Sequence, residues 1–254
     1  MNFDLAFLPP RSQKPRESGL TLMTDRGLSV REAENFCEGS APYTDFVKMA
    51  FGTSLLIPSL EAKLNIYHEA GIRPYFGGTL FEVFARRNAL DSYRSYLDRF
   101  GIEYLEISDS VIELSRQQKC EEIKSFAQDF EVISETTNQL RDRHLSFDEY
   151  LDYMQEELEA GARYVLVKES HQMPLYGRDG LAFYLNCGDG KGRIDLSKVL
   201  WDAPAREQQI ELINGLGNEV NLSNIAFDAV LALESKRLGL HSSTLLRLIP
   251  EVNH

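Results

Sequence analysis

Short β-prone runs closed by polar or glycine residues recur along the whole chain, at residues 19–25, 44–50, 72–78, 104–109, 131–135, 164–169, 198–202 and 219–224. Between most of them lie stretches with apolar residues at helical spacing, for example 59–71 and 146–161. Both stretches close on a glycine suited to a left-handed cap, Gly71 and Gly161. The second opens on Ser146 with Glu149 three residues later, a capping box. Strict strand–helix alternation requires parallel pairing, and eight such units in 254 residues predict one α/β domain, a single (β/α)8 TIM barrel over 1–254. Residues 1–17 read as an N-terminal extension. The sixth unit breaks the pattern: Pro174, Gly177, Gly180, Gly188, Gly190 and Gly192 interrupt 170–197, where a lid over the barrel mouth is expected.

Composition narrows the partners. The chain is 43% hydrophobic and 26% charged, within the globular range. It has no run of 18 apolar residues and no basic, apolar leader at its start, so a soluble, cytoplasmic protein with no membrane partner is expected. A net charge of −12 argues against sequence-independent nucleic-acid binding, which needs Lys and Arg on phosphates. It leaves room for a small anionic substrate in a local basic pocket. Cys37, Cys120 and Cys187 have no metal-ligand spacing, and the same holds for His68 and His144. No Gly-x-Ser-x-Gly, P-loop or dinucleotide fingerprint occurs.

In a barrel of this kind the chemistry sits where strands hand over to the following loops. The polar residues there include Asp25, Lys48, Glu106, Ser108, Asp109, Glu135, Lys168, Glu169, Asp202, Asn221 and Asn224. Lys48 reads as a phosphate or carboxylate binder, a general acid, or a structural partner of Asp25. Asp25 reads as a catalytic carboxylate or a helix cap. Glu106, Glu135 and Glu169 end three adjacent strands; they either converge on a hard cation such as Mg2+ or pair with Arg and Lys. Gly77, Gly78 and Thr79 open a helix whose free N–H groups would face an anion, and Thr53 and Ser54 offer hydroxyls one unit earlier.

The segments 14–19, 45–54, 76–82, 106–109, 221–226 and 233–240 together resemble the phosphosulfolactate synthase family, in order and with similar spacing from about Lys14 to Thr244. The resemblance implies a TIM barrel and Mg2+-dependent addition of sulfite to phosphoenolpyruvate, on the route to coenzyme M. Together with the strand-end residues, it leads to the expectation of catalytic roles for Lys48, Asp25, Glu135 and Lys168, and of a metal at Glu106, Glu135 and Glu169. Substrate would meet Thr53, Ser54, Gly77, Gly78, Thr79, Ser108, Arg206 and Asn221. Family members tend to associate, so a homo-oligomer fits as well.

The chain also departs from the family pattern. After the fifth strand the family carries a Glu-Val-Gly-x-Lys loop whose lysine is thought to be the catalytic acid, whereas here Glu135 is followed by Thr136, Thr137, Asn138 and Gln139. After the sixth, Glu-x-Arg-Glu-Ser-Gly becomes Val167, Lys168, Glu169, Ser170 and His171; after the seventh, Glu-Ala-Pro-x-Lys becomes Asp202 to Arg206. Lys168 or His171 is expected to supply the lost proton donor. A nucleophile other than sulfite fits these changes, and the alternative is a noncatalytic barrel acting through protein interaction.

Overall fold

The computed structural model describes residues 5–136, 146–168, 176 and 194–249. Eight parallel strands close a barrel in sequence order: β1 (Thr21–Asp25), β2 (Phe46–Met49), β3 (Arg73–Phe76), β4 (Tyr104–Ile107), β5 (Glu131–Thr136), β6 (Ala162–Val167), β7 (Val199–Asp202) and β8 (Leu222–Ile225). Around them lie α1 (Val30–Ser40), α2 (Leu60–Glu69), α3 (Gly78–Ala85), α4 (Leu90–Arg99), α5 (Arg116–Phe126), α6 (Phe147–Glu159), α7 (Arg206–Leu216), α8 (Val230–Arg237) and α9 (Leu245–Leu248). The eight runs read from the sequence are the eight strands. The Ser146–Glu149 capping box forms at α6, and Gly71 and Gly161 take positive φ past their helix ends. The expected lid falls almost wholly outside the described residues. Among those described, no helix is long and apolar enough to cross a membrane.

Side-chain alternation along each strand sorts the core into two shells. Leu22, Phe46, Tyr75, Tyr104, Ile133, Leu166 and Leu200 form one cluster inside the barrel. Their neighbours in sequence, Met23, Val47, Phe76, Leu105, Val132, Val167 and Trp201, pack outward against the helices. Phe46 meets Tyr75, Tyr104 and Tyr164 edge to face at 6.2, 4.9 and 6.2 Å. Arg73 lies 3.9 Å above the Phe46 ring. The barrel interior is therefore a packed core, and barrels of this kind carry their chemistry at the carboxyl ends of the strands.

The N-terminal extension straps the floor of the barrel. Lys14 donates to the carbonyls of Ala41 and Thr44, Arg16 forms a buried ion pair with Asp45 at 2.9 Å, and Arg11 reaches Glu234 of α8 at 2.9 Å. Arg237, fully buried, donates to the carbonyls of Asn218, Val220 and Leu20. The segments 14–19 and 233–240, which carry much of the family resemblance, thus close the barrel and lie away from its mouth.

Candidate active site

One step beyond the inner apolar layer, the same alternation brings polar residues inward at the strand ends. Two residues after Leu22, Phe46, Tyr75, Tyr104, Ile133, Leu166 and Leu200 stand Thr24, Lys48, Gly77, Glu106, Glu135, Lys168 and Asp202. They form a polar ring above an aromatic floor. Lys48 Nζ lies 2.6 Å from Glu106 Oε1, which also accepts the Gly78 N–H at 2.8 Å. The other oxygen, Glu106 Oε2, is buried with no hydrogen-bond partner among the described residues. Glu135 Oε1 accepts the Ser110 hydroxyl and has Lys168 Nζ at 3.7 Å. Asn224 holds a left-handed φ of 60° at the end of β8 and accepts a 3.1 Å bond from Thr24. A non-glycine residue held there is over-determined by its surroundings.

The charges hold one another in place. Burial alone would discharge Lys48, but the Glu106 and Glu135 carboxylates outweigh it and keep its pKa above the ordinary lysine value. Burial works against the Glu135 carboxylate as well, and Lys48 and Lys168 overcome it, so its pKa lies below the usual range. Asp202 differs: burial dominates over Lys168 and Lys48 and pushes it up to about 6.

Several sequence-based expectations are corrected. The Gly77 and Gly78 N–H groups do not stand open to an incoming anion: Gly77 donates to Met49 O at 3.2 Å and Gly78 to Glu106. The pair serves close approach, since a Cβ at Gly77 would sit 2.8 Å from Lys48 Cε and one at Gly78 would sit 2.3 Å from Ser108 Oγ. Asp25 faces outward and is fully buried, with Lys63 and Tyr67 of α2 each at 2.8 Å and the Gly27 and Leu28 N–H groups at 2.8 Å. It locks the first loop against α2, and its partner is Lys63, not Lys48. Asn221 precedes β8 at the floor, where it accepts from Leu20 N and donates to the carbonyls of Ser197 and Val199.

The remaining expected residues scatter. Thr53 donates to Ala50 O within its own loop, Ser54 is buried with a hydroxyl that has no partner among the described residues, and Thr79 is exposed. Arg206 is exposed at the start of α7, 3.3 Å from His241 Nε2. Ser108 donates to Glu82 beside the ring. Glu169 and His171 lie outside the described residues, so the three-glutamate metal set is represented by Glu106 and Glu135. Among the described residues no group of three His, Cys, Asp or Glu side chains is arranged to hold a metal. Glu82, Ser110, Thr24 and Lys119 were not singled out by the sequence, because their contacts join segments far apart in the chain.

Comparison with known proteins agrees with the fold and with the family resemblance read from the sequence. A family model described as (2R)-phospho-3-sulfolactate synthase (ComA) matches residues 9–243. The phosphosulfolactate synthase of Bacillus subtilis (strain 168) is 35% identical over 243 residues, covering 93% of this chain and 96% of that protein. That of Methanothermobacter thermautotrophicus is 34% identical over 245 residues, covering 93% and 95%. Among solved structures, phosphonopyruvate hydrolase in complex with oxalate and Mg2+ superposes with a TM-score of 0.56 at 15% identity, covering 84% of this chain and 77% of that one. A dihydrodipicolinate synthase from Agrobacterium tumefaciens str. C58 gives 0.57 at 11% identity, covering 90% and 76%. At such identities these two structures show the barrel fold alone.

Proposed function

The chain belongs to the phosphosulfolactate synthase family, and from that premise we propose that it adds a nucleophile, sulfite or a relative of it, to carbon 3 of phosphoenolpyruvate. The observation that carries this reading is the pairing of two lysines with two glutamates at the ends of β2, β4, β5 and β6, in one mouth above a packed interior. A doubly anionic substrate needs cations at its phosphate and carboxylate. Lys48 spends one of its three N–H donors on Glu106, and Lys168 is 35% exposed, so both have donors to offer.

A Mg2+ ion fits the donor set. Mg2+ takes one or two protein carboxylates and leaves the rest of its shell to water and substrate oxygens. Glu106 Oε2, an orphaned buried oxygen, and the Glu135 carboxylate are the two that would hold it. When bound, the ion supplies Lewis-acid stabilisation of the charge that grows on the substrate carboxylate.

The chain's own residues do the rest. As a lone pair of the nucleophile forms the bond to C3, the π electrons of the C2=C3 bond move toward C2 and the carboxylate. Lys48 lies beside that growing charge and stabilises it. Lys168 Nζ then gives C2 a proton and is recharged from solvent, taking over from the lysine that the family carries after β5. The replacement of that loop by Thr136, Thr137, Asn138 and Gln139 leaves less positive charge for a small dianion, which supports a nucleophile other than sulfite.

Incubation with phosphoenolpyruvate, Mg2+ and candidate nucleophiles, followed by 31P NMR, tests the reading. Lys168→Met should lower kcat by about 10²–10⁴-fold, the usual weight of a general acid, with KM for phosphoenolpyruvate little changed. Lys48→Met should weaken phosphoenolpyruvate binding. If calorimetry with Mg2+ detects no phosphoenolpyruvate binding to the wild type, the reading is wrong.

A further inference from the structure

Behind the ring, Glu135 is gripped from two sides by residues that never reach the mouth. On one side Glu82 of α3, 3% exposed, accepts the N–H groups of Ser110, Val111 and Ile112 at 3.1, 2.7 and 2.8 Å, together with the Ser108 hydroxyl. Four donors converge on one carboxylate and fix the β4–α5 loop. That loop in turn aims the Ser110 hydroxyl at Glu135 Oε1. On the other side Lys119 of α5, bridging Asp109 and Glu157 at 3.0 Å each, donates to the backbone oxygen of Glu135 at 2.6 Å. Glu157 accepts the Thr136 hydroxyl, and Tyr150 donates to the Thr136 carbonyl. The end of β5 is thus clamped through its backbone by α5 and α6, while the direction of the Glu135 carboxylate is set by the β4–α5 loop.

We propose that Glu82 is a positioning residue: through Ser110 it fixes the Glu135 carboxylate in the orientation that a divalent cation and the substrate require. The inference rests on the role given to Glu135 above. Glu82 holds Ser110 by its backbone N–H, and the Ser110 hydroxyl is given to Glu135. Carboxylates that bind metals are held by outer partners, and removing such a partner costs about 10–100-fold in metal affinity or activity.

The test separates the hydroxyl from the packing. Ser110→Val and Ser110→Thr have nearly the same shape, and only the second keeps a donor for Glu135. Mn2+ binding, followed by EPR without any substrate, should weaken about tenfold or more in Ser110→Val and in Glu82→Gln, and stay near wild type in Ser110→Thr. The double variant Glu82→Gln/Ser110→Val should be no worse than the weaker single, because both act on one contact. Urea midpoints measured alongside identify a Glu82→Gln protein that has simply unfolded, in which case the Ser110 pair decides alone. Equal affinity in Ser110→Val and wild type overturns the proposal, as do equal losses in Val and Thr, or a wild type that binds no Mn2+. A wild type that binds Mn2+ with the expected dependence on Ser110, yet consumes no phosphoenolpyruvate, leaves the positioning role standing and rejects the proposed reaction.

Discussion

Replacing Asp25 by alanine should unfold this protein more readily while leaving its chemistry untouched. The carboxylate and Lys63 Nζ are both fully buried and 2.8 Å apart, and the same carboxylate takes Tyr67 and the Gly27 and Leu28 N–H groups. In Asp25→Ala the Lys63 ammonium keeps only the Leu28 carbonyl, at 2.6 Å, and stays buried without a counter-charge. Breaking a buried pair in this way costs about 3–5 kcal/mol. In a domain of this size that lowers Tm by roughly 6–20 °C. Adding Lys63→Met removes the stranded charge, so the double variant should recover part of the loss, with a coupling of about 0.5–3 kcal/mol. Urea denaturation of the four proteins, with turnover measured well below the lowest midpoint, checks both halves. A variant with a midpoint within about 0.5 kcal/mol of wild type but with turnover abolished would refute the structural role and return Asp25 to the catalytic set.

Three further outcomes follow from other contacts. The raised pKa of Asp202 means that between about pH 4 and about pH 6 the native state keeps a proton that the unfolded chain has released, so stability falls as pH rises through that window, by about 3 kcal/mol in all. Asp202→Asn should abolish that fall and be the more stable protein above about pH 6; urea midpoints of both proteins at about pH 4.5 and about pH 7.5 suffice, and the opposite slope from Glu135 cancels in the comparison. Gly78→Ala gains about 1 kcal/mol of helix propensity but drives its Cβ to 2.3 Å from Ser108 Oγ and 3.0 Å from Glu106 Oε1, so thermal melts should show a net loss of stability and calorimetry a loss of phosphoenolpyruvate affinity. Asn221→Ala strands the Leu20 N–H and two carbonyls at the floor, and should cost about 1–3 kcal/mol in urea with kcat per folded molecule unchanged.

The barrel was legible because eight apolar runs, each closed by a polar or glycine residue, admit few other arrangements. The ring was half legible. Lys48, Glu106, Glu135 and Lys168 stand at strand ends and do face the mouth, but so do Thr24, which the sequence does not mark, and Asn224, which it marks only as polar, while Asp25 stands at a strand end and faces the other way. The reason lies in the strands themselves. A parallel strand in a barrel is apolar on both faces, so Leu22, Met23 and their like give no sign of which side is in, and the face of the polar residue that follows cannot be read from them. Asn221 is misplaced for a related reason: it lies within the run 219–224, but the strand begins only at Leu222, so Asn221 stands at the floor end and not at the mouth. Glu82 left no signal at all, since its four donors come from a loop more than twenty residues away.

The glycine pair shows how a correct observation can point at the wrong contact. A helix N-terminus beside a buried lysine is an anion site, and the anion present is the chain's own Glu106. Lys48 and the Gly78 N–H fix one oxygen of that carboxylate and leave the other bare, which suits a cation better than a phosphate. On this geometry the half of the mouth that retains the family's residues is organised first around Glu106, and under the proposed function the substrate's phosphate and carboxylate would draw on the remaining donors of Lys48 and on Lys168. Lys168 belongs to one of the segments in which the chain departs from the family pattern. On the proposed reading a change of nucleophile would leave Lys48, Gly78 and Glu106 in place, because the segments that depart from the family pattern follow β5 and β6, whereas those three residues belong to the second, third and fourth units.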